Sequence, residues 1–281
     1  MVTADQEARA KFLRLSHRKY GGVMDSWLGD LELAVVSCAN CRHHWYRQQP
    51  GDQALADLYE AARPLHGEGH ATKERRFAHS PYMFSEMKKL RRLAGAEPGK
   101  DSASLLDYGA GLGRWSRAAH VAGFCVTAYD PSIARQSPAT DGVVPIHRIE
   151  RLHGRSFDAI NVEQVLEHVA DPLEVLQQIR SLCHARTVIR ITVPNIHRCA
   201  EGRQIWNEWP FNGSTMHTMA PYEHLHGFTP ASLNALVARA RFEAVPSPRL
   251  LRADCTYVVR KALGAALPIL RQTKVFVMKS V

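Results

Sequence analysis

The sequence predicts an α/β protein built on a doubly wound, mostly parallel sheet. Three observations predict it. Between residues 98 and 195, short apolar runs alternate with helical patterns at close spacing, as parallel strands joined by crossover helices do. The first of these runs, Ser104–Asp107, ends in a glycine-rich turn, LLDYGAGLGRW. The composition is that of a folded chain: 281 residues, 45% hydrophobic, 22% charged, 18 Gly and 15 Pro, which excludes wholesale disorder and collagen-like repeats.

Residues 1–97 form a polar, helix-prone N-terminal extension with one strand-like run, Leu31–Ser37, and a helical stretch, QALADLYE, at 53–60. Residues 98–281 carry the α/β pattern. After Ser104–Asp107, a helix starts near Gly113, with Trp115, Ala118, Ala119 and Ala122 on one side and Gly123 as its stop. Cys125–Tyr129 is the next strand, Val143–His147 the third and Phe157–Val162 the fourth. Asp171 caps a helix, with Pro172 at its first position and Glu174 three residues after the cap. Its stripe is Val175, Leu176, Ile179 and Leu182. Thr187–Val193 is a fifth strand, stopped by Pro194. Residues 196–228 form an irregular insertion rich in aromatics and His, too long for a plain connector. Thr229-Pro230 opens a helix carrying Leu233, Leu236, Val237 and Ala240, and Lys274–Lys279 is a final strand.

No apolar run approaches the ~20 residues of a membrane span. MVTADQEARAKF lacks the apolar core of a signal peptide, so a soluble cytoplasmic protein is expected. Lys plus Arg is 36 and Asp plus Glu 27, a net charge of +9. The basic residues scatter, apart from Arg9–Lys19 and Lys88–Arg92. That reads as a solvated basic surface ahead of a nucleic-acid footprint. The six cysteines are expected as free thiols.

In such sheets ligands sit beyond the carboxyl ends of the strands. Asp107 stands at that end, followed by Gly109, Gly111 and Gly113. A chain turning sharply from strand to helix needs residues that tolerate positive φ, and the helix N-terminus offers N–H groups to a ligand. Asp130 ends the next strand, where a carboxylate can accept from two ribose hydroxyls. The glycine spacing is not that of the dinucleotide fingerprint. An acid before the first glycine repels a pyrophosphate but attracts an ammonium, which favours S-adenosylmethionine over NAD.

At this point the chain resembles a class I S-adenosylmethionine-dependent methyltransferase of the broad group that modifies sugars, quinones and other small molecules. The resemblance covers about residues 75–245. It rests on LLDYGAGLGRW, AYDPS at 128–132, FDAINVEQVLEHVADPLEVL at 157–176, TVPN at 192–195 and EHLHGFTPASL at 223–233. It implies a Rossmann-like seven-stranded sheet with an antiparallel last strand. It also implies that Gly109, Gly111 and Gly113 wrap the methionine part of the cofactor, with Asp107 near its amine. Asp130 and Pro131 would hold the ribose, Arg148 and Ile149 flank the adenine, and Glu163 and Gln164 lie near the methionine moiety and the methyl group. S-adenosylhomocysteine is the implied product.

Methyl transfer from a sulfonium needs an aligned nucleophile and, for a hydroxyl, a base within reach. The pair Glu167-His168 in VLEHVADP is one candidate, with His168 as its catalytic member. The similar segment in sugar-modifying members lines the substrate pocket, which adds Tyr222, Glu223 and His224, with His224 as base. The insertion, with Trp206, Trp209, Phe211 and Met216, reads as a lid or pocket wall. Its histidines, His197, His217, His224 and His226, have no firm metal-site spacing, so no metal ligands are assigned. Cys38 and Cys41 look like the remnant of an N-terminal zinc ribbon, with His17, His43 or His44 as conceivable substitutes for the missing pair, and no zinc is expected. Arg75–Leu93 resembles the helical entrance to the core, with Tyr82, Phe84 and His79 near the pocket.

The expected function is therefore methylation of a small polar acceptor, a hydroxyl of a sugar or glycan-like metabolite. A tRNA or rRNA methyltransferase, or a cofactor-binding but inactive partner subunit, stand as alternatives. A homodimer is compatible with either.

Overall fold

In the computed structural model, the described residues are 1–20, 22, 25, 31–61, 80–95, 103–132, 142–194, 196, 211–212, 215–216, 219–221, 223–244 and 272–280. Seven strands make the main sheet: β4 (Ser104–Tyr108), β5 (Cys125–Tyr129), β6 (Val143–Ile146), β7 (Phe157–Glu163), β8 (Cys183–Pro194), β12 (Phe242–Ala244) and β13 (Gln272–Ser280). Their order is β12-β13-β8-β7-β4-β5-β6. The five strands from β8 to β6 run parallel, and β13 pairs antiparallel with β8. This is the Rossmann-like, seven-stranded arrangement with an antiparallel late strand.

Both faces of the central strands are covered, so their side chains sort by a period of two. Leu106, Tyr108, Ile160, Val162, Ile189 and Ile191 point to one face, where they pack with α5 (Pro172–Ser181) and α6 (Pro230–Arg239) through Leu176, Ile179, Leu233 and Val237. Leu105, Ala159 and Val188 belong to the other face, against α3 (Pro81–Leu93) and α4 (Arg114–Val121) through Met87, Leu90 and Ala119. Each fully buried Leu or Ile contributes about 1.5–3 kcal/mol, so these layers hold the strand ends in place. The helix starts follow their sequence signals. The Asp171 side chain accepts from the N–H groups of Leu173 and Glu174, and Thr229 forms a reciprocal capping box with Ser232.

The N-terminal extension has both helices and strands. It contains β1 (Val2–Thr3), α1 (Gln6–Tyr20), β2 (Ala34–Ser37), β3 (His44–Tyr46) and α2 (Asp52–Ala61). A second sheet runs β1-β2-β3-β11, and its last strand, β11 (His226–Gly227), comes from the end of the insertion. Phe12, Leu33, Val35, Tyr46 and Leu58 share one apolar cluster with Ile196 and Met219, which belong to the insertion. The Tyr46 hydroxyl donates to the Met219 carbonyl. The extension is thus stitched to the insertion by backbone pairing, packing and a hydrogen bond. Two further short strands, β9 (Phe211–Asn212) and β10 (Thr215–Met216), pair antiparallel within the insertion.

Candidate active site

The crevice forms at the carboxyl ends of β4, β5 and β7. The turn after β4 places Gly109, Gly111 and Gly113 at φ of +76°, +52° and +72°, a region that L side chains avoid. The carbonyl of Tyr129 accepts from the N–H groups of Gly109 and Ala110 at 2.8 and 2.9 Å. A Cβ on Gly109 would come within 2.4 Å of Val165 Cγ2, whereas one on Gly111 would meet nothing within 4 Å. Gly109 is therefore required by packing against the loop after β7. Gly111 faces the open space of the crevice.

Asp130 braces this turn. Its Oδ2 accepts from Gly111 N–H at 2.7 Å and its Oδ1 from Ser132 N–H at 2.9 Å. A carboxylate has about four lone-pair positions, so acceptor capacity remains for two ligand hydroxyls. Next to it, Pro131 and Arg148 are exposed and Ile149 is half-buried against the core. Arg148 caps a short 3-10 turn, Ile149–Leu152.

Asp107 is almost wholly buried, at 1% exposure. Its Oδ2 accepts from Ser116 Oγ at 2.6 Å and its Oδ1 from Asn161 Nδ2 at 2.8 Å. Burial pushes its carboxyl up to about 6, against the opposing effect of those two hydrogen bonds. Register explains the partners: Asp107 lies opposite Asn161, and Asn161 opposite Arg190. Arg190 Nη1 donates to Asn161 Oδ1 at 2.9 Å and to the Glu163 carboxylate. Its Nε lies 3.6 Å from Glu86, and its guanidinium stacks on Trp115, 4.2 Å from the ring centre. Burial works against the Arg190 charge, but Glu163 and Glu86 outweigh it and hold the group above its ordinary pKa. Lys89 lies 3.2 Å from Glu86. The two cations balance Glu86 and Glu163, which leaves Asp107 as the acid without its own counter-charge in this row. Tyr82, whose hydroxyl burial pushes above its usual pKa, faces the same Arg190 and Glu86 and meets Trp115 edge-on.

The loop after β7 forms the facing wall. Gln164 takes a left-handed φ of +54° while its N–H donates to the Thr192 carbonyl at 2.8 Å. A non-glycine residue held there stores strain of the kind found around ligand sites. His168 Nδ1 lies 2.5 Å from the Glu223 carbonyl, and a carbonyl only accepts, so Nδ1 carries a proton, and the neutral form of the ring has its lone pair on Nε2. That Nε2 is 3.8 Å from Glu167 Oε1, and the His224 ring packs edge-on against His168 with centres 4.6 Å apart. Glu167 is fully buried, neither of its carboxylate oxygens has a hydrogen-bond partner among the described residues, and burial drives its pKa well above the usual range. Its backbone carbonyl accepts from Leu225 and His226 N–H, which fixes the segment that carries Glu223 and His224.

The structure thus brings Asp107, the three glycines, Asp130, Glu163, Gln164, His168, Glu223 and His224 to one region. Tyr222, His79, Trp206, Trp209, His197 and His217 lie outside the described residues, as do the side chains of Phe211 and Met216. Arg190 and Glu86 complete the site although sequence reading gave them no role, and Glu167, read from the sequence only as the neighbour of His168, joins them. Arg190 sits in TVIRITV, where period-two alternation sets it beside Asn161 and Asp107, and that phase was the available signal. In the N-terminal hairpin, Cys38 and Cys41 are free thiols. Backbone N–H groups of Cys41 and Asn40 hold the Cys38 thiol below its ordinary pKa. The nearby imidazoles are turned elsewhere: His43 Nε2 to His226 Nδ1 at 3.1 Å, His44 Nδ1 to the Arg42 carbonyl at 2.8 Å, and His17 Nδ1 to Asp25 at 2.6 Å.

A family model described as a methyltransferase domain matches residues 77–247, more than half of the chain. The chain belongs to this methyltransferase family. No curated protein matches it. Among solved structures it is similar to the Burkholderia thailandensis 1,6-didemethyltoxoflavin-N1-methyltransferase with bound 1,6-didemethyltoxoflavin and S-adenosylhomocysteine (17% identity, 88% of this chain and 100% of that one, TM-score 0.50). It is also similar to the plantazolicin methyltransferase BpumL in complex with a monoazolic desmethylPZN analog and S-adenosylhomocysteine (14% identity, 98% and 100%, TM-score 0.51). At these identities the likeness establishes the fold.

Proposed function

We propose that the protein transfers the methyl group of S-adenosylmethionine to a hydroxyl of a small polar acceptor, a sugar or glycan-like metabolite. The observation that carries this reading is the pair formed by Gly111 and Asp130: an open backbone cradle tied to a carboxylate with acceptor capacity to spare. The residues present fit the cofactor. Gly111 leaves room for it, Asp130 with Pro131 beside it offers bonds to ribose hydroxyls, and the uncompensated charge of Asp107 favours an ammonium. Both Asp107 oxygens are engaged, so this acid acts through its field, while Glu163 and Gln164 line the methionine end. Ile149 and Arg148 flank the adenine. Gly109 and Gly113 set the turn.

When bound, the cofactor supplies a methyl group already activated on a sulfonium. The chain's own residues orient the acceptor and manage its proton. His224, with Glu223, His168 and Tyr222, forms the rim that receives that proton. The acceptor class is supported by the likeness of EHLHGFTP to the pocket segment of sugar-modifying members. We place the reaction in the cytoplasm, where the free thiols of Cys38, Cys41, Cys125 and Cys183 stay reduced. Among the described residues, no helix is long and apolar enough to cross a membrane.

Calorimetry with S-adenosylhomocysteine tests the cofactor, with saturable binding expected. Incubation with isotope-labelled S-adenosylmethionine and a panel of nucleotide sugars tests the acceptor. Label appearing only in RNA overturns the acceptor class, and absence of cofactor binding overturns the whole reading.

A further inference from the structure

The corner formed by Glu167, His168 and His224 has features that proton transfer alone does not explain. One ligand atom from each residue lies within 4.8 Å of the other two. Glu167 is fully buried, and among the described residues neither carboxylate oxygen has a hydrogen-bond partner. An acid in that state is costly to keep ionised unless a cation joins it. His168 donates its Nδ1–H to the Glu223 carbonyl, and its Nε2, which carries the lone pair in the neutral ring, stands on the side of Glu167. A backbone carbonyl on the far nitrogen is the usual support of a metal-bound imidazole. Two imidazoles and one carboxylate suit a borderline divalent transition ion.

We propose that Glu167, His168 Nε2 and a His224 ring nitrogen bind one divalent ion of the zinc, manganese or cobalt type, leaving further positions for an acceptor oxygen. Ligands around such an ion at ~2.1 Å stand ~3.4 Å apart in a tetrahedral site. The Glu167–His168 separation of 3.8 Å is near that value, and His224 closes the set by a small side-chain movement. The three ligands come from two segments that the Glu167 carbonyl already holds together through Leu225 and His226.

The proposal deepens the function above and rests on it for its chemistry. A hydroxyl bound to the ion ionises more readily, and its proton passes to Glu223 or to solvent. The oxygen then forms its bond to the methyl carbon as the carbon–sulfur bond breaks, and that electron pair leaves on sulfur. With the ion in place, the two imidazoles act as its ligands, and the ion provides the acidification otherwise asked of His224.

The test titrates the full chain, stripped with a chelator, with Zn2+, Mn2+ and Co2+ by calorimetry and metal analysis. A Cys38→Ser/Cys41→Ser variant run in parallel removes thiol binding. We expect one ion per chain in both proteins, with a Co2+ spectrum free of thiolate charge transfer. Glu167→Gln and His224→Ala should each weaken binding about tenfold or more. Should Glu167→Gln fail to fold, the half-buried His224 provides the second variant. Absence of a saturable ion, binding that vanishes with the cysteines, or binding unchanged by His224→Ala overturns the proposal. S-adenosylhomocysteine binding is measured on the same preparations. If it is intact while metal binding is absent, only the ion site falls. If it is lost from the unmodified protein, the methyltransferase reading falls.

Discussion

Gly111 and Asp130, nineteen positions apart, are joined by a 2.7 Å hydrogen bond from the glycine N–H to the carboxylate. The turn after the first core strand and the acid after the second are therefore one unit. Asp130→Ala removes that bond, the bond to Ser132 and the acceptors offered to a ribose. Charge-assisted bonds are worth about 1.5–3 kcal/mol each, so cofactor affinity should fall by about a hundredfold. Calorimetry with S-adenosylhomocysteine checks it, and an unchanged affinity removes Asp130 from the site.

The glycines of the turn should separate cleanly. Gly109→Ala meets Val165 at 2.4 Å as well as the left-handed backbone penalty, and should destabilise the fold by about 2–4 kcal/mol. Gly111→Ala has only the penalty of ~1–2 kcal/mol to bear, but its methyl group enters the cradle and should cut cofactor binding. Urea unfolding and calorimetry on the two variants distinguish stability from binding.

Arg190→Met leaves Glu163 without its cation and Glu86 with Lys89 alone. Breaking a buried pair typically costs about 3–5 kcal/mol, so a matching loss in urea is expected. Adding Glu163→Gln should recover part of it. A loss the size of a surface substitution would mean that the guanidinium does not organise this row.

Asp107 makes stability depend on pH in a defined direction. Its folded value of about 6 lies above the unfolded value, so between the two the folded chain holds the extra proton. The group therefore withdraws stability as pH rises through about 6 and restores it as pH falls toward about 4, over a range of ~3 kcal/mol. Asp107→Asn should flatten that part of the curve. A cationic ligand favours the ionised form, so cofactor binding near pH 6 should release protons and at pH 8 should not. Calorimetry in buffers of different ionisation enthalpy measures this.

The central sheet was legible because both faces of its strands are buried and the turns carry glycine, Asp171 and Thr229 signals at their proper offsets. Thr187–Val193 extends to Cys183–Pro194 because parallel pairing with β7 begins at Cys183, which apolar content alone does not reveal. His44–Tyr46 and His226–Gly227 were not read as strands: each is very short and acquires its conformation from a partner far away in sequence. The glycine turn and the acid that braces it were similarly visible, since glycine and acid spacing are local. Arg190 and Glu86 were not, and Glu167 was visible only as the neighbour of His168, because the roles of a buried charge depend on neighbours from other strands and helices.

The pairing of β3 with β11 has a practical meaning for anyone reshaping this protein. The stretch bearing Glu223 and His224 is anchored on one side to the catalytic sheet and on the other to a hairpin from the chain's first fifty residues. A segment transplanted from a relative to change what is methylated would arrive without its matching edge. Swaps of acceptor preference should succeed only when both pieces travel together.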